Sequence, residues 1–124
     1  MISGGMMKEI IRNSYLENEN ILIVGYGKSG VKSSELAKRL GATVFVYDDN
    51  KDVEVNKEVV DKVYNNIEDI DFSNINITVL SPGVPLESDI AQKSIKSGVE
   101  TIGEIEFGFR YSYRNNTCNN RNKW

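Results

Sequence analysis

Three groups of residues in this sequence carry atoms that could do chemistry. The first is Gly25-Tyr26-Gly27-Lys28-Ser29-Gly30. Its first glycine permits a tight turn, its second lets the backbone approach an anion, and its third allows a helix to pack close to a strand. Free N–H groups at the start of the helix that follows, with the macrodipole behind them, favour a phosphate, and Lys28 adds a positive charge there. The second group is Asp48-Asp49, roughly 20 residues further on, the spacing at which an acid reaches a ribose hydroxyl in dinucleotide-binding domains. The third is Ser81-Pro82-Gly83-Val84-Pro85, whose prolines and glycine fix a turn that presents Ser81 and backbone amides.

From these residues alone the natural ligand is a dinucleotide such as NAD, held by its diphosphate. A nucleotide-sensing regulatory domain would use the same residues, and a glycine turn that binds nothing would show the same spacing. No candidate for hydride transfer accompanies them. Glu104 and Glu106 invite an acid/base reading, but their alternation with Ile102 and Ile105 suits charges on the outside of an edge strand or a helix start. The chain has no His and a single cysteine, Cys118, so zinc chemistry, Cys/His catalysis and an internal disulfide have no support. No catalytic residue and no metal ligand is assigned.

The elements that must position these groups follow from the pattern around them. Ile21-Leu22-Ile23-Val24 is a continuous apolar run halted by glycine, as in a central parallel strand buried on both faces. Val31, Leu36, Ala37 and Leu40 then fall near one helical face, and Gly41 stands where a helix-ending glycine belongs. Thr43 to Tyr47 reads as a second strand, Lys62-Val63-Tyr64 as a short third and Ile77 to Leu80 as a fourth. Asp52 to Val60 reads as a weak helix or loop. In the polar stretch from Asn65 to Asn76, Ile67, Ile70 and Phe72 are packing points. Ser88 or Asp89 can cap a helix running to Gly98. A strand at Val99 to Ile102 and an amphipathic segment with Ile105, Phe107 and Phe109 complete the order.

Alternating strands and helices imply a Rossmann-like, doubly wound α/β fold: a mainly parallel five-stranded sheet with flanking helices. The expected organisation is a lead-in over residues 1–20, a nucleotide-binding domain over 21–110, and an irregular tail over 111–124. A chain of 124 residues has room for one core. With 40% hydrophobic and 27% charged residues and a net charge of -3, the composition is that of a soluble globular protein without an electrostatic footprint for nucleic acid. No run reaches the roughly 20 apolar residues of a membrane span, and the N-terminus has no apolar signal-peptide core. A cytoplasmic monomer fits.

Taken together, the glycine loop, Val46-Tyr47-Asp48-Asp49, Leu80-Ser81-Pro82-Gly83-Val84-Pro85 and Ile102-Gly103-Glu104-Ile105-Glu106 resemble the N-terminal domain of the Mur ligases. The likeness is to the branch that adds D-glutamate to UDP-N-acetylmuramoyl-L-alanine during cell-wall synthesis, and it covers about Ile21 to Phe109. It implies a domain that holds a UDP-substrate rather than NAD. Lys28, Ser29 and Gly30 would then meet the diphosphate and Asp48 the uracil end, with Gly25, Gly27 and Asp49 also among the substrate-binding residues. Ser81, Pro82 and Gly83 would line the same groove. ATP and Mg²⁺ would serve the whole enzyme, whose central domain opens with a phosphate loop of the type Thr-Gly-Thr-Asn-Gly-Lys, expected soon after Phe109.

Instead the chain gives Asn119 to Trp124. Those six residues can be encoded as AAT AAC AGG AAC AAA TGG, and dropping the first base yields Ile-Thr-Gly-Thr-Asn-Gly. The expectation is therefore a frame change before Asn119, near Tyr113, leaving a truncated ligase without its ATP-binding and C-terminal domains. Such a fragment would bind no cofactor and not turn over ATP. Sequencing the gene tests this: Arg121 should be encoded by AGG, and a codon that does not end in GG rules the idea out.

Overall fold

The computed structural model describes residues 15–115. The expected lead-in up to residue 14 and the tail from 116, with Cys118 and Asn119 to Trp124, lie outside the described residues. The chain folds in the order β1 (Asn20–Val24), α1 (Lys28–Arg39), β2 (Thr43–Tyr47), β3 (Lys62–Tyr64), β4 (Ile77–Leu80), α2 (Asp89–Lys96), β5 (Glu100–Gly103) and α3 (Glu104–Asn115). Two single-turn 3₁₀ helices, Ile67–Asp69 and Phe72–Asn74, stand between β3 and β4.

The five strands form one sheet in the order β3-β2-β1-β4-β5, and every pairing is parallel. β1 lies at its centre because Ile21, Leu22, Ile23 and Val24 are apolar on both faces, and all four are at most 2% exposed. Full burial of each such side chain contributes roughly 1.5–3 kcal/mol. On one face α1 and α3 bring Leu36, Ala37, Leu40 and Phe107 against Ile23, Val44, Val46 and Val79. On the other, Ile90 and Ala91 of α2 join Ile70 and Phe72 over Leu22, Val24 and Leu80. Ser94 of α2 hydrogen-bonds Thr78 of β4 at 2.7 Å and Thr101 of β5 at 2.8 Å, which fixes that helix on the sheet.

Three details differ from the sequence reading. Packing begins before Ile21: Leu16 is 2% exposed and its N–H donates to the Leu40 carbonyl, so part of the lead-in belongs to the core. Residues 111–115, expected to be irregular, continue α3. Tyr111 packs its ring against Phe107 one turn earlier, at 5.1 Å between centroids, and Arg110 pairs with Glu106 on α3 and Glu100 on β5. These contacts carry the helix past the point where the apolar period stops. Finally, of the three apolar residues around the start of α3 only Phe107 is buried, whereas Ile105 and Phe109 are exposed.

The order of strands sets up the site. The chain leaves β1 toward β2 and β3 on one side, then crosses to β4 on the other, so connections diverge above the carboxyl ends of β1 and β4. Ligands of open α/β sheets bind in that crevice.

Candidate functional site

Each glycine of Gly25–Gly30 has a distinct duty. Gly25 leaves β1 with φ +90°, which an L side chain rarely adopts, and a Cβ there would lie 2.9 Å from Ser81 Oγ. Gly27 caps α1 from an extended conformation and has open space where a Cβ would go. Gly30 is buried, and a Cβ on it would fall 2.0 Å from the Gly25 carbonyl oxygen. α1 can start this close to β1 only because no side chain stands there.

The first helical bond of α1 runs from the Val31 N–H to the Gly27 carbonyl, and no side chain caps this end. The N–H groups of Lys28, Ser29 and Gly30 precede that bond and have no acceptor within the helix. Gly27 and Lys28 are exposed. An exposed helix start with three such donors, a cation and no side-chain cap has the chemistry of an anion seat.

Beside it lies a groove of about 280 Å³ between the end of β2 and the start of α2. Gly25, Asp48, Asp49 and Gly83 line it, as do Tyr47, Ile67, Val84 and Asp89. Tyr47, Ile67 and Val84 are among its apolar walls, and its charged groups are all carboxylates. Burial pushes the Tyr47 phenol above its ordinary range, helped by the negative charges of Asp49, Glu68 and Asp48. The two ends of the site are thus unlike. The helix start offers N–H donors and a cation, while the groove offers carboxylates and apolar walls.

The residues expected to meet a ligand are divided by the structure. Gly25, Asp48, Asp49 and Gly83 share the groove, and Gly27, Lys28 and Ser29 stand at the helix start. Ser81 and Pro82 instead line a second hollow of about 380 Å³, across the loop, with Leu86, Ile102 and Ile105. The reason is local. The Val84 N–H donates to the Ser81 carbonyl at 2.9 Å, closing a turn with Pro82 at its second place, while Ser81 Oγ donates to the Gly25 carbonyl at 2.9 Å. Ser81 ties one loop to the other instead of reaching into the groove. Ser88, not Asp89, caps α2, and its Oγ also donates to the Pro85 carbonyl at 2.7 Å.

Tyr47, Ile67, Val84 and Asp89 were not singled out as site residues. Tyr47 and Val84 sit inside the Val46–Asp49 and Leu80–Pro85 motifs. Ile67 and Asp89 come from separate stretches whose convergence only the folded loops create. Among the described residues no group of three or more His, Cys, Asp or Glu is placed to hold a metal ion. No helix among them is long and apolar enough to cross a membrane.

The family model for the Mur ligase MurD-like N-terminal domain matches residues 19–103. A UDP-N-acetylmuramoylalanine--D-glutamate ligase of Caldicellulosiruptor saccharolyticus is 34% identical over 104 residues, covering 77% of this chain and 23% of that protein. Ligases of the same description from a Thermoanaerobacter species and from Lachnoclostridium phytofermentans are each 32% identical, over 105 and 104 residues, covering 78% and 76% of this chain. The chain spans 22–23% of the length of these relatives.

Proposed function

The chain belongs to the Mur ligase family as a MurD-like N-terminal domain, and from that premise we propose that it holds the UDP end of UDP-N-acetylmuramoyl-L-alanine. In the whole enzyme that substrate would be joined to D-glutamate at the expense of ATP, with Mg²⁺, in peptidoglycan synthesis. The observation that carries the reading is the juxtaposition of an uncapped, exposed α1 start bearing Lys28 with a groove lined by carboxylates and apolar walls. A diphosphate fits the first and a neutral base the second. Lys28, Ser29 and Gly30 meet the diphosphate in this reading, and Asp49 and Gly83 face the base or ribose. ATP, Mg²⁺ and the incoming amino acid would be met by parts of the whole enzyme outside this domain. The proposed setting is the cytoplasm, as a monomer.

Thermal stability in the presence of ligands tests the proposal, because a ligand that binds only the folded state must raise its stability. UDP and UDP-N-acetylmuramoyl-L-alanine should each raise the melting temperature, and NAD should not. The opposite pattern overturns the assignment in favour of a dinucleotide module. Lys28→Ala should weaken UDP by about tenfold, the effect of losing one charge-assisted contact. An unchanged affinity removes Lys28 from the site.

A further inference from the structure

If the groove seats a nucleotide, Asp48 is the obvious residue to touch its ribose or base, yet the fold already occupies both of its oxygens. Oδ2 accepts the Tyr26 N–H at 3.0 Å, and Oδ1 accepts the Asn50 N–H at 2.9 Å. Tyr26 is the residue after Gly25, two places before Lys28. The post to which it is tied is itself fixed. The Asp48 N–H donates to the Tyr64 carbonyl at 3.0 Å, and Asn65 Nδ2 donates to the Asp48 carbonyl at 2.9 Å. The Gly25 N–H also donates to the Tyr47 carbonyl at 2.8 Å, so the glycine loop is sewn to the end of β2 at two consecutive residues. From the opposite flank Ser81 Oγ holds the Gly25 carbonyl.

We propose that Asp48 acts on the diphosphate indirectly, as a positioning residue that fixes the glycine loop so that the Lys28, Ser29 and Gly30 N–H groups face the ligand. The inference rests on the nucleotide reading above and deepens it. Its consequence is that a ligand with neither base nor ribose feels the loss of Asp48.

Three roles for this carboxylate give three different outcomes with inorganic pyrophosphate. A group that only contacts the base or ribose leaves pyrophosphate binding unchanged when altered, and weakens UDP. A negative charge that only repels the anion strengthens pyrophosphate binding once neutralised. A positioning residue weakens pyrophosphate and UDP by similar factors, even though its neutralisation removes a repulsion. Asp48→Asn separates them, since the amide keeps the size and one acceptor but turns an NH₂ toward one of the two backbone N–H groups. One tether is then lost.

Calorimetric titration of the full chain with UDP and with pyrophosphate, parent against Asp48→Asn, is the test. Both affinities should fall about tenfold, the effect of a lost hydrogen bond to a charged group. The amide resonance of Tyr26 in a ¹⁵N-labelled sample should move in the variant while those of the β4 core stay in place, which a general loss of structure would not produce. Weakened UDP with unchanged or strengthened pyrophosphate overturns the positioning role and leaves the nucleotide reading standing. Parent protein that binds neither ligand overturns both. Should Asp48→Asn fail to fold, Ser81→Ala removes the opposite tether without changing charge, and an unaltered pyrophosphate affinity in that variant equally overturns the proposal.

Discussion

Gly30→Ala should lower the unfolding free energy by about 3 kcal/mol and take the melting temperature down by roughly 10–15 °C. The added methyl would sit 2.0 Å from the Gly25 carbonyl oxygen, and its nearest side-chain neighbour, Ile23, is already at 3.5 Å. Relief requires backbone to move, and neither backbone is at liberty. Gly25 is held at its N–H by Tyr47 and at its carbonyl by Ser81, while α1 is locked through Leu36, Ala37 and Leu40 in the core. Moving α1 outward by the needed ångström or more opens voids beneath those three side chains, and voids in a core cost further stability. Urea titration monitored by circular dichroism measures the change. An alanine variant melting within about 3 °C of the parent would show that the helix start is far more compliant than its contacts indicate.

Gly27→Val should do the reverse. Gly27 has a negative φ of -89° and nothing within 4 Å of a built Cβ, so a side chain there strains neither backbone nor neighbours. Stability should fall by only about 1 kcal/mol, the cost of replacing an accepted helix cap, glycine, by a poor one, valine. The isopropyl group, however, would stand where a diphosphate must approach the N–H groups of Lys28, Ser29 and Gly30. UDP affinity should fall by at least about fiftyfold, since displacing a diphosphate from an oriented set of donors forfeits several charge-assisted bonds at once. Calorimetry beside a melting curve reads both quantities. A folded valine variant that binds UDP like the parent would place the ligand elsewhere. The pair distinguishes two glycines three residues apart, one required by packing and one by access.

What the sequence revealed, and what it did not, follows from how local each signal is. Ile21–Val24 announces a central strand because it is apolar without interruption, and Gly41, observed at φ +97°, ends α1 where its type predicts. The glycine loop was readable for the same reason: three duties, three glycines, one short stretch. Leu16 escaped notice because its partner, Leu40, lies 24 positions away, and nothing in its polar surroundings marks it as core. The length of α3 depends on a ring contact and two ion pairs in a stretch with no apolar period. Ser81 and Asp48 were recognised as important, but their type could not say whether they face a ligand or another loop. A hydroxyl or carboxylate satisfied by backbone more than 20 residues distant leaves no trace in its own neighbourhood.

The hydrogen bond from Ser81 to Gly25 joins residues 56 positions apart, and it places the site late in the chain's history. During synthesis the glycine motif emerges early, but β1 then has a partner on one side only, because β4 has not been made. Until roughly residue 80 is free to fold, β1 is an apolar edge with unpaired backbone, the kind of surface that recruits other chains. The arrival of β4 closes that edge and, through Ser81, sets the carbonyl around which the glycine loop turns. The proposed diphosphate seat is therefore completed by the same event that ends the nascent chain's exposure to aggregation.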